Sequence, residues 1–265
     1  MAVIKVNEKD IRWEQGIKID DLKARYKPNA DIIVYNGFPV SENLDIHPGD
    51  NISFIRRGEI PNSEEMKRLI IARHSPEVYG KICNKKVGIA GAGGLGSSLA
   101  IALGRLSIGN LVIADFDVVE PSNLNRQQYF MDQIGMYKVD ALRENLKKIN
   151  RYLEVSIFNE RIDRHNICTI FKNCDVIAEC FDNPESKSEL VETVIRLLKI
   201  PIVAVSGIAG YRDANKLICR NMGNQFYLIG DGVTAAKPGI GLMAPKVGIA
   251  AHLQANKILE LLLEL

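Results

Sequence analysis

Residues 88–100 read GIAGAGGLGSSLA and continue the strand-like stretch KKVGIAG that begins at Lys85. Gly91, Gly93 and Gly96 stand at G-x-G-x-x-G spacing, with Gly94 inserted between them. That pattern closes a strand with a tight turn and opens a helix whose N-terminal amides face a phosphate-bearing ligand. It commits the surrounding chain to strand–helix–strand units, because a parallel strand can be rejoined only through a crossover.

The rest of the C-terminal part agrees. LVIADFD, EVSIF, DVIAE and PIVAVS are strand-like runs rich in Val and Ile. Helical segments alternate with them near 164–173 and 185–199, and KVDALRENLKKIN carries Val139, Leu142, Leu146 and Ile149 on one stripe. Strands apolar on both faces and joined by helices predict a doubly wound, Rossmann-like, mostly parallel α/β sheet over 81–265. A last helix over 247–264 is expected to pack on it through Ile249, Leu253, Leu259 and Leu262.

Residues 1–58 have a different pattern. VIKVN and IRWEQ flank the polar turn NEKD, IDDLKARYK has helical spacing through Ile19, Leu22 and Tyr26, and DIIVYNGFPV is a hairpin around Asn36-Gly37. NISFIRRG closes as a last strand, which predicts a small β-grasp, ubiquitin-like domain. Residues 59–80 form a helical connector: Asn62 and Glu65 have capping-box spacing, and Pro76 is expected to end the helix.

A net charge of +2 speaks against extensive nucleic-acid binding, and the N-terminus has no signal-peptide core. No apolar run approaches the ~18 residues of a membrane span. A cytoplasmic protein is expected, with no nucleic-acid or membrane partner. The five cysteines (Cys83, Cys168, Cys174, Cys180, Cys219) include no C-x-x-C pair, and His165 with Cys168 stands alone, so no zinc is expected.

Asp115 ends the second strand 19 residues after Gly96, where a carboxylate can accept hydrogen bonds from ribose hydroxyls. NAD and ATP both satisfy these features. DFDVVEPSNLNRQQ and Lys138 separate them: Arg126 and Lys138, with Asn123 and Gln127 as neutral donors, suit the charge of a triphosphate. Asp182, after the strand DVIAE, could hold Mg²⁺ between phosphates. With Asn183 before Pro184 it could equally cap a helix.

GAGGLG, DFD, SNLNRQ, a lone Lys and FDN, in this order, resemble the ThiF/MoeB family of ubiquitin-activating-enzyme-like proteins over about 66–265. The whole chain looks closest to a ThiF subfamily with a fused ThiS-like N-terminal domain. The resemblance implies a nucleotidyltransferase that uses ATP and Mg²⁺ to adenylate the C-terminal glycine of a ThiS-like sulfur carrier ending in Gly-Gly, in thiamine (thiazole) synthesis. By position, Gly91, Gly93, Gly94 and Gly96 would approach the phosphates, Asp115 would bind ribose, and Asn123, Arg126, Gln127 and Lys138 would contact the triphosphate. Asp182 would hold the metal beside Asn183, and Arg73 resembles an arginine inserted into a partner subunit's site, which implies a homodimer. Two departures stand out. Cys219 is the one candidate for a mobile-loop cysteine, and the β-grasp domain runs on through Arg56-Arg57-Gly58-Glu59 without a terminal Gly-Gly. That domain is expected to be a docking element rather than a substrate. The alternatives are a tRNA-modifying cyclodehydratase of the same superfamily, an NAD-dependent oxidoreductase and a non-catalytic carrier-docking module.

Overall fold

The structure is a computed structural model that describes residues 2–237 and 239–264. The chain divides into two compact units, 1–79 and 80–265.

In the first unit β1 (Val3–Val6) and β2 (Lys9–Arg12) form a hairpin whose two loop residues, Asn7 and Glu8, have φ of 48° and 60°. Both central residues of a type I′ turn take positive φ, which matches the twist of the flanking strands. The polar turn is thus shorter than NEKD, and Lys9 and Asp10 belong to β2. Helix α1 (Ile19–Tyr26) follows, then β3 (Ile32–Tyr35), β4 (Phe38–Val40) and β5 (Asn51–Ile55). The β3–β4 hairpin turns at Asn36-Gly37 with φ of 48° and 88°. The sheet order is β2-β1-β5-β3-β4, with β1 and β5 parallel at its centre. Ile19 and Leu22 of α1 close the core with Ile4, Val6, Ile52 and Phe54, whereas Tyr26 is 39% exposed. This is the β-grasp arrangement.

Helix α2 (Ser63–His74) also lies in this unit, its start capped by the Asn62 side chain accepting from the Glu65 amide at 2.9 Å. Pro76 does more than stop it. After Ser75, at φ 73°, proline opens a second helix, α3 (Pro76–Ile82), because its missing N–H costs nothing at a first helical position.

The second unit holds β6 (Lys86–Ala90), α4 (Gly94–Leu106), β7 (Asn110–Ala114), α5 (Lys138–Ile149), β8 (Glu154–Phe158), α6 (Ile167–Phe171) and β9 (Val176–Glu179). Then come α7 (Pro184–Thr193), prolonged by a π-helical turn to Leu198, β10 (Ile202–Val205), β11 (Ile218–Asn221), β12 (Phe226–Gly230) and α8 (Ala244–Glu264). The sheet order is β11-β12-β10-β9-β6-β7-β8. All neighbours are parallel except β11, which runs antiparallel to β12 at the edge. The chain winds outward from β6 to β8, then returns to β9 on the other side of β6. The topological switch point therefore lies between β6 and β9, where open α/β sheets bind ligands.

Helix α8 buries Leu262 as expected, but otherwise packs through residues other than the expected Ile249, Leu253 and Leu259. Val247, Ala250, Ala251, Ala255, Ile258 and Leu262 are buried, while Ile249 is 43% exposed and Leu253 and Leu259 are only partly covered. Small alanines allow the close approach of α8 to α4.

Candidate functional site

Strand register brings three loops together. Ala90, the last residue of β6, stands opposite Ala114 of β7 on one side and Glu179 of β9 on the other. The segments that follow, the glycine loop, Asp115–Asp117 and Cys180–Asn183, must leave the same edge of the sheet side by side.

The glycine loop is shaped by close approach. Gly91 has φ +98°, and a Cβ there would meet the Cys180 carbonyl at 3.0 Å and the Phe181 ring at 3.2 Å. A Cβ on Gly96 would fall on the Gly91 carbonyl oxygen, so no other residue turns this corner. Gly93 is the N-cap of α4, and α4 starts at Gly94 without a side-chain cap. Its first amides are the ones that need an outside acceptor.

Asp115 fastens this loop. Its Oδ2 accepts from the Ala92 amide at 2.6 Å and its Oδ1 from the Asp117 amide at 2.8 Å. Burial raises its pKa, opposed by those two amides and by Lys138. Lys138, the first residue of α5, is 6% exposed, and its Nζ donates to Asp117 Oδ2 at 2.7 Å. Both groups thus lie beside the loop, and Asp117 is a partner that sequence reasoning missed.

The segment 121–128 crosses the start of α4. Arg126 Cγ is 3.5 Å from the position a Gly94 Cβ would take. Its guanidinium donates to Asn125 Oδ1 at 2.8 Å and to the Ser122 carbonyl at 3.4 Å, and no carboxylate pairs with it among the described residues. Asn123 is buried: its Oδ1 accepts from the Glu120 amide at 3.0 Å, and its carbonyl accepts from the Gln127 amide at 2.9 Å. Gln127 is 7% exposed, yet its Oε1 has no hydrogen-bond partner among the described residues. A buried amide oxygen left unpaired is costly, and only a hydrogen-bond donor can complete it. Ser97 and Tyr129 hold the segment in place. Ser97 Oγ accepts from the Gln128 amide at 3.1 Å, and the buried Tyr129 hydroxyl donates to the Ala92 carbonyl at 2.7 Å. Neither carries a signal in the sequence beyond its polarity.

On the β9 side Asn183, not Asp182, is the helix cap: its Oδ1 accepts from the Glu185 and Ser186 amides at 2.9 and 3.0 Å. That oxygen is occupied. Asp182 is exposed, and its carboxylate has no protein partner among the described residues. A lone free carboxylate fits Mg²⁺, which takes one or two carboxylates and completes its shell with phosphate oxygens and water. Among the described residues no group of three or more His, Cys, Asp or Glu side chains could hold a metal by itself.

Two other positions fall elsewhere. Arg73 is exposed on α2 in the first unit. Cys219 is exposed on the edge strand β11, and burial raises its thiol pKa against the opposing effect of Lys257. That is the reverse of what an activated thiolate needs.

A doubly wound parallel sheet whose switch point carries a glycine-shaped helix N-terminus, an unpaired arginine and a free carboxylate defines the class of α/β domains that seat a phosphate-bearing ligand. The chain belongs to the ThiF family, whose model matches residues 66–265, and a model of ThiS-like ubiquitin matches residues 3–58. The molybdopterin-synthase adenylyltransferase of Haemophilus influenzae is 26% identical over 226 residues, 78% of this chain and 88% of that protein. The adenylyltransferase and sulfurtransferase UBA4 of Saccharomyces cerevisiae is 33% identical over 190 residues, 69% of this chain but 43% of its own length. For MOCS3 of Caenorhabditis briggsae the identity is 39% over 126 residues, 47% of this chain and 31% of the relative. This chain therefore spans less than half of those two relatives, all three being named adenylyltransferases, a nucleotidyltransferase activity. In fold it is similar to the tRNA N6-threonylcarbamoyladenosine dehydratase of E. coli in complex with AMP, with TM-score 0.69 and 18% identity, covering 78% of this chain and 98% of that one. E. coli MccB with a MccA variant gives TM-score 0.57 at 20% identity, over 78% of this chain and 66% of that chain.

Proposed function

We propose that the protein is an ATP-dependent adenylyltransferase that activates the C-terminal glycine of a small ubiquitin-like sulfur carrier. The observation that carries this reading is the convergence of the glycine loop, Asp115, Arg126 and Lys138 at one sheet edge, with Arg126 neutralised by no carboxylate among the described residues. In this reading the carrier carboxylate attacks the α-phosphorus of ATP, forming the acyl-adenylate and releasing pyrophosphate. No side-chain nucleophile is needed, so positioning and charge stabilisation dominate. The α4 amides and Arg126 stabilise phosphate charge, the Gln127 side-chain amide donates to a phosphate oxygen, and Asp115 keeps the loop shut while accepting from ribose. Asp182 would hold Mg²⁺, which would neutralise charge on the phosphates.

The same proposal assigns residues 1–58 to a ThiS-like docking domain, 59–80 to a connector and 81–265 to the adenylating domain. It places Arg73 in the neighbouring site of a homodimer, and the protein in the cytoplasm. No helix among the described residues is long and apolar enough to cross a membrane, which is in keeping with that placement. Match of the N-terminal domain to a ThiS-like model supports a thiazole-forming carrier. A molybdopterin-type carrier is the second reading, favoured by the name of the Haemophilus relative. Titration with ATP against NAD, followed by carrier-dependent pyrophosphate exchange with each carrier, tests the proposal. Selective ATP binding with exchange on one carrier is expected, and preferential binding of NAD would overturn it.

A further inference from the structure

Glu179 and Lys187 form an ion pair that the phosphate chemistry does not use. Glu179, the last residue of β9, is 0% exposed, and Lys187 Nζ donates to its Oε2 at 2.6 Å. The same ammonium donates to the carbonyls of Phe181 at 3.0 Å and Val205 at 2.9 Å, which uses all three of its protons. Glu179 Oε1 accepts from the Phe181 amide at 2.7 Å. Both backbone groups of Phe181 are therefore bound to this one pair. From the other side Gln254 Nε2 donates to the carbonyls of Glu179 at 3.0 Å and Val203 at 2.8 Å.

Such a construction is a poor way to gain stability, since a buried ion pair often does no better than apolar residues of the same volume. It is a good way to fix a turn. Phe181 is pinned by the pair, Asn183 is pinned as the cap of α7, and Asp182 lies between them with its carboxylate free. The Phe181 ring also packs on Gly91, which ties this turn to the glycine loop.

We infer that Glu179 and Lys187 are positioning residues that hold Asp182 at the fixed distance from the glycine loop needed to share a Mg²⁺ with bound phosphates. The inference rests on the adenylyltransferase reading. A purely structural role would instead lower the midpoint and leave the Mg²⁺-dependent gain in affinity unchanged.

The test compares the wild type, the neutral double variant Glu179→Gln/Lys187→Met and the reference variant Asp182→Asn. Each is titrated calorimetrically with ATP, once with excess Mg²⁺ and once with EDTA, and its thermal midpoint is measured. Mg²⁺ half-saturation of pyrophosphate exchange is recorded as well. The double variant avoids a lone buried charge, and Glu179→Gln/Lys187→Gln, whose new amide can still donate to a backbone carbonyl, serves as a second form should the first fail to fold. The expected result is a cooperative melt at a lowered midpoint, ATP affinity in EDTA within about threefold, and a loss of at least about tenfold in the Mg²⁺-dependent gain, as in Asp182→Asn. Wild-type Mg²⁺ dependence in a folded variant overturns the inference. So does an equal loss of affinity with and without Mg²⁺, or failure of both forms to fold. Wild-type protein that binds no ATP would overturn the functional reading first, and this inference with it.

Discussion

Two glycines of one loop should respond in opposite ways to the same added methyl group. A Cβ at Gly93 meets nothing within 4 Å, and its φ of −74° suits any residue. Alanine there loses only a preferred N-cap residue, about 0.5–1 kcal/mol. At roughly 2–4 °C per kcal/mol for a domain of this size, the midpoint falls by about 1–4 °C. In the proposed function, however, the open space beside Gly93 is where a phosphate approaches the loop. Losing one charge-assisted amide contact costs about 1.5–3 kcal/mol, a drop in ATP affinity of roughly 10- to 100-fold. Gly96→Ala puts its methyl on the Gly91 carbonyl oxygen, so the backbone has to shift. Overpacking of this kind costs up to about 3 kcal/mol, a fall of roughly 6–12 °C. Thermal melting and calorimetric titration with ATP read both effects on the same samples. Gly93→Ala that binds ATP within about threefold of wild type would refute the placement of phosphate at this helix start. An unchanged midpoint for Gly96→Ala would refute the loop geometry.

Arg126→Ala and Lys138→Ala should each lower carrier-dependent pyrophosphate exchange by about 10²–10³, the usual cost of one transition-state donor, and near-normal exchange in both would contradict their roles. Asp231 gives a pH prediction. Burial works against its charge, but the Thr234 hydroxyl, the Thr234 and Val233 amides and Lys246 bring its pKa to about 2 from an ordinary 3.8. A carboxyl depressed on folding adds stability that is complete above 3.8 and is lost as pH falls toward 2. Asp231→Asn should therefore flatten the acid limb of stability in that window, as measured by urea unfolding at several pH values, and an unchanged slope would contradict it. Removal of residues 1–58 should weaken binding of a separate carrier, measured by calorimetry, whereas unchanged affinity would remove the docking role.

The fold was legible where chemistry is local. Asn36-Gly37 specified a hairpin, Asn62 with Glu65 specified a helix start, and the glycine run specified strand–turn–helix, all through short-range geometry. What stayed hidden depended on partners far along the chain. Lys246 and Gln254 look like surface residues of a helix, yet both are buried. Lys246 donates to the Ala209 carbonyl at 3.0 Å and Gln254 to the carbonyls of Glu179 and Val203. Side-chain size pointed correctly to Leu262 of α8 but missed Val247, Ala250, Ala251 and Ala255, whose small side chains suit the close contact with α4. β12 escaped notice even though Gly223-Asn224 and Gly230-Asp231-Gly232 bracket FYLIG with turn residues, and it pairs in parallel with β10. At the site, residue types and spacing singled out Asp115, Arg126 and Lys138 as candidates, but not that Asp115 also ties down Ala92 or that Asp117 pairs with Lys138. The choice of cap between Asp182 and Asn183 needed coordinates, since either side chain can serve.

Mass spectrometry of Gly-Gly-terminated carriers incubated with the protein, ATP and Mg²⁺ tests the central claim most directly. The account predicts one carrier bearing an added adenylyl group on its terminal glycine, dependent on ATP and abolished by Arg126→Ala. Carriers that all stay unmodified, under conditions where calorimetry shows ATP bound, would contradict it.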